Sequence, residues 1–357
     1  MKRRELTLAG VHLGEPLAGP GTVHVDLVNA CNAACVTCWD HSPLLSSPRP
    51  ASWKGKRARA EDVDRLLDDL GTLGGLRSVI LSGMGEPFVH PEIHAICESV
   101  KRRTLHLTVI TNLLLADPGK VLSIGVDQLL IGVHAATAES YRAFHPGTGE
   151  AEWTRLLASL DRFAGAGKRF RHVQVICATN AHELPAMVRL AARYGAGGIT
   201  FKLASLLDGT ERVALSPEAR EALVAEGIPS AREEASRLGV ATNLDVLARQ
   251  LSAGGARTAP IAETGCFMGY AYARVTVEGD VLYCCDTEVK VGSLASGARF
   301  SDLWLGPRWQ DLRDRLRSGR YFEGCSRCGK YAQNVALGRA FEEAYGTRRL
   351  LQVTGRA

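Results

Sequence analysis

No stretch of the 357-residue chain approaches the roughly 18 continuous apolar residues of a membrane span, which excludes a helical membrane protein. The basic start, Lys2, Arg3 and Arg4, runs straight into Glu5 and no apolar secretory segment follows, so a cytoplasmic protein is expected. Charge of one sign is lacking too. The 43 Lys and Arg residues face 38 Asp and Glu, and a net charge of +5 is too small to argue nucleic-acid binding without a localised patch. Internal repeats and long low-complexity runs are absent. What remains is ordinary globular material, 46% hydrophobic and 23% charged, long enough for one large domain or about two.

Cysteine is the exception. The ten cysteines are Cys31, Cys35, Cys38, Cys97, Cys177, Cys266, Cys284, Cys285, Cys325 and Cys328, too sparse for a disulfide scaffold and mostly in tight groups. Grouped cysteines without a secretory signal read first as metal ligands.

Between residues 22 and 204, β-rich runs at 23–28, 78–81, 105–110, 128–133, 173–176 and 199–203 alternate with helical patterns at 60–70, 91–102, 138–144, 153–163 and 182–194. Repeated βα units predict a parallel sheet. Six strands are fewer than the eight of a closed barrel, so the expected fold is α/β, a partial (β/α)6 barrel. Ligands in such folds sit at the C-terminal strand ends, where the first cysteine group, Gly85-Glu86-Pro87 and Thr111-Asn112 all fall. Residues 218–238 and 244–251 read as helices, with a capped start at Ser216-Pro217-Glu218 and a linker at Gly254-Gly255. Further on, residues 272–277 and 281–284 flank Glu278-Gly279-Asp280 as a β-hairpin, and a helix at about 300–317 precedes Cys325. The expected division is a barrel over 1–207, a helical linker over 208–262, a smaller hairpin-plus-helix domain over 263–335 and a C-terminal helix and tail over 336–357. In the long loop 40–60, Arg49, Lys54, Lys56, Arg57 and Arg59 have no acids among them, which reads either as a solvated loop or as an anionic-substrate contact.

Cys31, Cys35 and Cys38 form C-x3-C-x2-C after the first strand. Three thiolates on one short loop suit three corners of a four-iron, four-sulfur cluster and leave one iron open to a chelating ligand. Structural zinc normally takes four protein ligands. This loop, Cys31-Asn32-Ala33-Ala34-Cys35-Val36-Thr37-Cys38, resembles that of the radical S-adenosylmethionine superfamily. The resemblance implies a [4Fe-4S] cluster whose open iron binds the methionyl group of S-adenosylmethionine, and a 5′-deoxyadenosyl radical that abstracts hydrogen from substrate. Ser82-Gly83-Met84-Gly85-Glu86-Pro87, after the second strand, resembles the family's Gly-Gly-Glu-Pro segment. By that resemblance Met84, Gly85 and Glu86 hold the cofactor's ammonium, and Asn112 after the third strand faces the cofactor. Two positions depart from the pattern. Thr37 stands where relatives often have an aromatic residue, and Gly132 stands where they often have Ser or Thr for the ribose.

Cys266-x12-Gly279-x4-Cys284, followed by Cys325-x2-Cys328, resembles the auxiliary-cluster region of the same superfamily, in its short twitch form or longer SPASM form. The layout is similar to that of 2-deoxy-scyllo-inosamine dehydrogenase, an aminocyclitol-oxidising member. Four cysteines suit one saturated auxiliary [4Fe-4S] cluster, and on ligand count they suit a zinc ribbon equally. Cys285 is then expected to pack inside, as is Cys97, which shares a helical face with Ile93, Ile96 and Val100.

Two residues are candidates for work on the substrate. Cys177, at the end of the fifth strand, reads either as a hydrogen-atom donor or as a packed thiol. His134, at the end of the fourth, reads either as a general base or as a structural histidine. Lys202 on the sixth strand is a further candidate for anionic or hydroxyl contacts. The expected function is radical dehydrogenation or epimerisation of a small polar molecule, such as an aminocyclitol, sugar or glycoside. A low-potential donor of flavodoxin or ferredoxin type would serve it, with no nucleic acid or membrane involved. Maturation of a ribosomal peptide is the alternative, made less attractive by a first strand beginning near residue 22. A non-catalytic metal or redox protein is the third class.

Overall fold

The computed structural model describes residues 3–253, 255, 261–285 and 289–346. Gly254 of the expected linker and residues 347–357 of the expected tail lie outside the described residues. Among the described residues nine strands form: β1 (Thr22–Asp26), β2 (Ser78–Ser82), β3 (His106–Thr111), β4 (Gln128–Gly132), β5 (Phe170–Ile176), β6 (Ile199–Leu203), β7 (Tyr272–Val275), β8 (Asp280–Leu282) and β9 (Lys290–Ser293). They make one open sheet in the order β6-β5-β4-β3-β2-β1-β7-β8-β9. All pairs from β6 to β7 are parallel, and β8 and β9 extend the sheet antiparallel. The result is the expected partial barrel. Its sheet runs on without a break, because β7 pairs directly with the free edge of β1.

The two faces of this sheet differ in chemistry. Val23, Val25, Val79, Leu81, Leu107, Val109, Leu129 and Ile131 face outward and are sealed by helices Ala60–Thr72, Ile93–Arg102 and Glu150–Gly165. Ile199, Phe201 and Leu203 are sealed by Leu184–Arg193, Ile228–Leu238 and Leu244–Ser252. Each such side chain contributes roughly 1.5–3 kcal/mol on burial. The alternate positions, His24, Asp26, Ser82, Thr108, Lys202, Tyr272 and Arg274 among them, share the inner face by strand register. Parallel strands buried on both sides read as continuous apolar runs. The polar inner face therefore marks a lumen built for something other than packing.

Several elements depart from the expectation. A helix at Arg3–Leu13 and another at Pro118–Ile124 were not foreseen. The hairpin gains a third strand, β9. The single helix expected over 300–317 is two, Phe300–Leu305 and Pro307–Arg317, because Pro307 has no N–H to continue the first and is preorganised to start the second. In the 40–60 loop the cations do meet acids. Arg49 pairs with Asp40 at 2.7 Å, Lys56 with Glu278 at 3.2 Å and Arg59 with Asp62 at 2.8 Å. Two of these three acids lie outside the loop, which is why the local sequence looked unopposed.

The C-terminal region packs around a buried cation. The Arg313 guanidinium lies 4.6 Å from the Trp304 ring centre and 5.3 Å from that of Tyr270, and donates to the carbonyls of Gly269 and Trp304, each at 2.9 Å. Burial pulls its pKa down to about 10, so it stays charged at neutral pH. Arg313→Ala takes away the guanidinium donor to Trp304 O, leaves Gly269 O with Trp309 Nε1 alone at 3.2 Å, and opens a hole beside the tryptophans. We expect a loss of about 3 kcal/mol in urea unfolding, and a loss near zero would contradict this packing account.

Candidate functional site

The loop after β1 and the loop after β2 are fastened to each other by backbone. Gly85 N–H donates to Val28 O at 3.0 Å and Glu86 N–H to Ala30 O at 2.9 Å. The contact is so close that a Cβ on Gly85 would sit 1.9 Å from Ala30 O, and one on Gly83 would sit 2.3 Å from Val28 O. Glycine is required at both places by this approach rather than by an unusual φ. Immediately beyond Ala30 comes Cys31. Val36 N–H, inside the cysteine loop, donates to Phe144 O at 2.9 Å, which pins the loop over the strand ends. Burial raises the pKa of all three thiols, to about 11 for Cys31, and Cys35 is raised further by the charges of Cys38 and Cys31. Three clustered thiols of this kind favour an acceptor that takes up their negative charge.

Glu86 is enclosed. Its carboxylate accepts from Thr111 Oγ1 at 2.7 Å, Asn112 N at 2.7 Å and Phe88 N at 3.1 Å, and burial pushes its pKa up to about 7. A carboxylate offers about four acceptor sites, so these donors leave little beyond one. Asn112 Nδ2 donates to Asn32 Oδ1 at 2.9 Å, tying the β3 end to the cysteine loop. Met84 turns its sulfur toward Arg274, whose guanidinium donates to it at 3.1 Å.

Cys266, Cys284, Cys325 and Cys328 line one cavity with Ile261, Met268, Tyr283, Leu316 and Phe322. The β7–β8 turn reverses the chain so that Cys284 follows at the end of β8, and the helix Pro307–Arg317 returns the chain to deliver Cys325 and Cys328. Gly279, with φ of 81°, makes that turn possible. Four thiols ranged around one hollow are a donor set that fits a four-cysteine metal centre. Cys285 lies outside that lining and is only half-buried rather than packed inside, its carbonyl 3.5 Å from Arg274 Nη1. Cys97 is fully buried with Ile93, Ile96 and Val100 as expected.

Comparison with known proteins agrees with this division. The radical SAM superfamily model matches residues 25–191, and an iron–sulfur cluster-binding domain model, SPASM, matches residues 266–329. The chain carries a radical SAM domain followed by a SPASM domain. The first binds S-adenosylmethionine and a [4Fe-4S] cluster, and the second binds auxiliary iron–sulfur chemistry. Curated relatives include the S-adenosyl-L-methionine-dependent tRNA 4-demethylwyosine synthases of Oryza sativa subsp. japonica, 27% identical, and Arabidopsis thaliana, 29% identical. Each match covers 45% of this chain and 27% of the relative, so the chain spans about a quarter of their length. Similar solved structures include Streptococcus suis SuiB bound to S-adenosylmethionine, with TM-score 0.62, 16% identity and coverage of 85% of this chain and 70% of that one. The anSMEcpe structure with bound AdoMet has TM-score 0.61 and 16% identity, covering 94% and 95%. At these identities the likeness is one of fold.

At the mouth of the radical SAM barrel, His134 adopts a left-handed backbone, φ 59°, and stacks on Phe144 with ring centres 4.6 Å apart. Its Nδ1 accepts from Val175 N–H at 3.0 Å. Burial, then the charges of His145 and Lys202, push its pKa well below the ordinary value. A neutral ring that accepts at Nδ1 carries its proton on Nε2, so it donates there and has no free lone pair. The lone pair that a general base would use is engaged by Val175 N–H in this arrangement. The ring also fills the space beside Gly132, where a Cβ would lie 2.7 Å from Nε2.

Cys177 is buried with Val36 and Phe144 beneath the cysteine loop, its sulfur 3.2 Å from Thr179 Oγ1. Asn180 is a brace rather than a lumen group. Its Oδ1 accepts from Cys177 N–H at 3.0 Å, and its Nδ2 donates to His134 O and Val175 O, each at 2.8 Å.

Below the mouth, a buried chain crosses from the radical SAM strands to the SPASM strands. Tyr272 and His24 Nδ1 lie 3.0 Å apart, His24 Nε2 meets Ser82 Oγ, and Ser82 lies 3.4 Å from Asp26. Arg274 Nε closes it on Asp26 at 2.9 Å. Burial drives the His24 pKa down, and Arg274, Lys330 and Lys202 push the same way, so the ring is neutral. This network was missed in the sequence, although the alternation Thr22-Val23-His24-Val25-Asp26 puts two polar groups on one face of β1. Gly85→Ala tests the loop-to-loop fit. It should cut S-adenosylmethionine binding by at least about tenfold, or 1.4 kcal/mol, in equilibrium dialysis, with the far-ultraviolet dichroism unchanged. Unaltered binding would refute the close approach.

Proposed function

We propose that this chain uses S-adenosylmethionine to abstract hydrogen from a small polar molecule held in the barrel lumen, with dehydrogenation or epimerisation as the outcome. The polar groups His24, Asp26 and Ser82 on the inner face beneath the two fastened loops carry this reading, since Val23, Val25, Val79 and Leu81 on the outer face of β1 and β2 are all apolar. Cys31, Cys35 and Cys38 would hold the catalytic cluster, and the backbone of Met84 and Gly85, with Glu86 and Asn112, would frame the methionyl end of the cofactor. Cys266, Cys284, Cys325 and Cys328 would hold one auxiliary [4Fe-4S] cluster, with Cys285 left out. When bound, cluster and cofactor supply the reducing electron and the carbon-centred radical.

The chain's own groups do the rest. Glu86 orders the loop through its three donors and keeps its remaining acceptor site for a cation. His134 offers an N–H to an oxygen at the mouth. Cys177, buried with Val36 and Phe144 under the cysteine loop just past the end of β5, would be the thiol that returns a hydrogen to the substrate. That favours epimerisation if the thiol is reached, and dehydrogenation with the auxiliary cluster as electron acceptor if it is not. A flavodoxin- or ferredoxin-type donor would supply the electron. All ten cysteines are unbridged, which suits a reducing, cytoplasmic setting.

Iron and turnover test this together. The anaerobically reconstituted protein should hold about eight irons and cleave S-adenosylmethionine under dithionite. The Cys31, Cys35 and Cys38 triple alanine variant should keep about four irons and lose cleavage. Zinc in place of half the iron, or no cleavage by the wild-type protein, would overturn the reading. Cys177→Ala should leave cleavage intact, and solvent deuterium entering product without that thiol would remove its donor role.

A further inference from the structure

We propose that a cavity at the N-terminal ends of β4, β5 and β6 binds a compact polyanion of the phosphate class, a diphosphate group, through Lys168, Arg169 and Arg171. The cavity measures about 220 Å³, and all three cations line it together with Gln128, Gly195 and Gly197. At roughly 30 Å³ per water it has room for about seven waters, the scale of a diphosphate. Three separate segments meet there. Gln128 opens β4, residues 168–171 lead into β5, and Gly195 and Gly197 lie between the helix Leu184–Arg193 and β6. The cysteine loop and the glycine-rich turn follow the opposite, C-terminal ends of their strands. β5 has seven residues, so at about 3.3 Å per residue roughly 20 Å separates the two ends. The site is therefore distinct from the radical centre, and the proposal stands apart from the reading of the mouth.

Two helices end at this cavity, and basic residues near helix C-termini commonly serve open carbonyls. Here the backbone has already closed them. Lys168 N–H closes the helix Glu150–Gly165 on Phe163 O at 2.9 Å, and Ala196 N–H closes Leu184–Arg193 on Ala191 O at 3.0 Å. The side-chain charges are left for another partner. Arg171 Nη1 donates to Gly197 O at 3.4 Å, which seats the guanidinium on the wall while engaging a single donor of its fork.

Acids do not cancel these charges. Burial pulls the Lys168 pKa down from its ordinary value, Lys101 adds to that, and Asp127 is the acid that opposes it. Asp127 is itself committed to Lys101 at 2.6 Å and to Leu107 N–H at 2.7 Å. Among the described residues no ion pair joins an acid to Lys168, Arg169 or Arg171. The acids outside the described residues, Asp286 and Glu288, follow β8 in the chain, and β3, β2, β1 and β7 stand between β8 and β4 in the sheet. Three like charges around one cavity repel one another until an anion enters. Guanidinium forks take phosphate oxygens in pairs, and the lysine adds a point charge. A diphosphate offers enough oxygens and enough charge to meet all three at once. Because it would tie three segments of the fold together, it should also stabilise the folded chain by mass action.

The test uses the reconstituted protein, titrated calorimetrically with inorganic pyrophosphate, with citrate and with a single-stranded RNA oligonucleotide. Pyrophosphate should bind saturably and raise the thermal midpoint as its concentration rises. Lys168→Gln, Arg169→Gln and Arg171→Gln should each weaken that binding at least about tenfold, with S-adenosylmethionine affinity and far-ultraviolet dichroism unchanged. Lys168→Arg, which keeps the charge, should retain it. Absence of saturable pyrophosphate binding, or binding by the three Gln variants equal to that of the wild-type protein, overturns the proposal. Citrate bound as tightly as pyrophosphate overturns the phosphate assignment, and RNA bound in place of pyrophosphate overturns the small-ligand one.

Discussion

The parallel pairing of β1 with strands on both its edges is the constraint from which the rest of the site hangs. β2 lies against one edge and β7 against the other, in a register that sets His24 opposite both Ile80 and Arg274. A slip of one residue would turn Val23 and Val25 into the lumen and drive His24 and Asp26 beneath the helices. The buried Asp26–Arg274 pair opposes any such slip. Two desolvated charges are tolerable only while each satisfies the other, and Arg274 reaches Asp26 from this register. Burial alone would raise the Asp26 pKa, and Arg274 works against that rise. Through this pair the SPASM half becomes part of the barrel wall rather than an appendage.

From that frame the loops take their positions. The chain leaving β1 becomes the cysteine loop, and the chain leaving β2 becomes the glycine-rich turn that lies flush against it. Within the cysteine loop Ser42 Oγ donates to Val36 O at 2.9 Å and His41 Nε2 lies 2.8 Å from Asn29 O, but what joins the two loops to each other is backbone. Backbone hydrogen bonds from Gly85 and Glu86 do that work, with Glu86 and Asn112 adding ties to β3. Preorganisation by backbone leaves the thiols free to bind a cluster. It also explains why a residue as bulky as Met84 is accepted between two glycines that cannot change. Its side chain leaves the contact and reaches Arg274.

Much of this was legible in the sequence, for identifiable reasons. The βα alternation showed as runs of aliphatic residues between turn signals, and Ile199–Leu203 and Ala138–Phe144 fall where the pattern put them. The cysteine groups were legible because ligand spacing is local. Pairings across long sequence separations were not. Nothing near Tyr272 announces that it extends a sheet begun 250 positions earlier at Thr22. Nor does anything near Lys56 announce Glu278. His134 reads two ways in the sequence for a related reason, since its role turns on a single backbone donor, Val175, from the adjacent strand. Tautomers are decided by such partners, and residue type alone carries no trace of them.

Hydrogen-atom transfer moves no net charge, so the place where it happens has no need of a strong acid or base. The groups at this mouth fit that demand. His134 is neutral and committed to donation, the Cys177 thiol is held protonated by burial, and Asn180 is consumed in bracing two strand ends. Charged groups lie lower on the inner face, where Asp26 and Arg274 pair across β1 and β7 at 2.8 Å. The continuity of the sheet through β1 and β7 sets that pair between the radical SAM strands and the SPASM strands, so the wall below the mouth is built by both halves of the molecule.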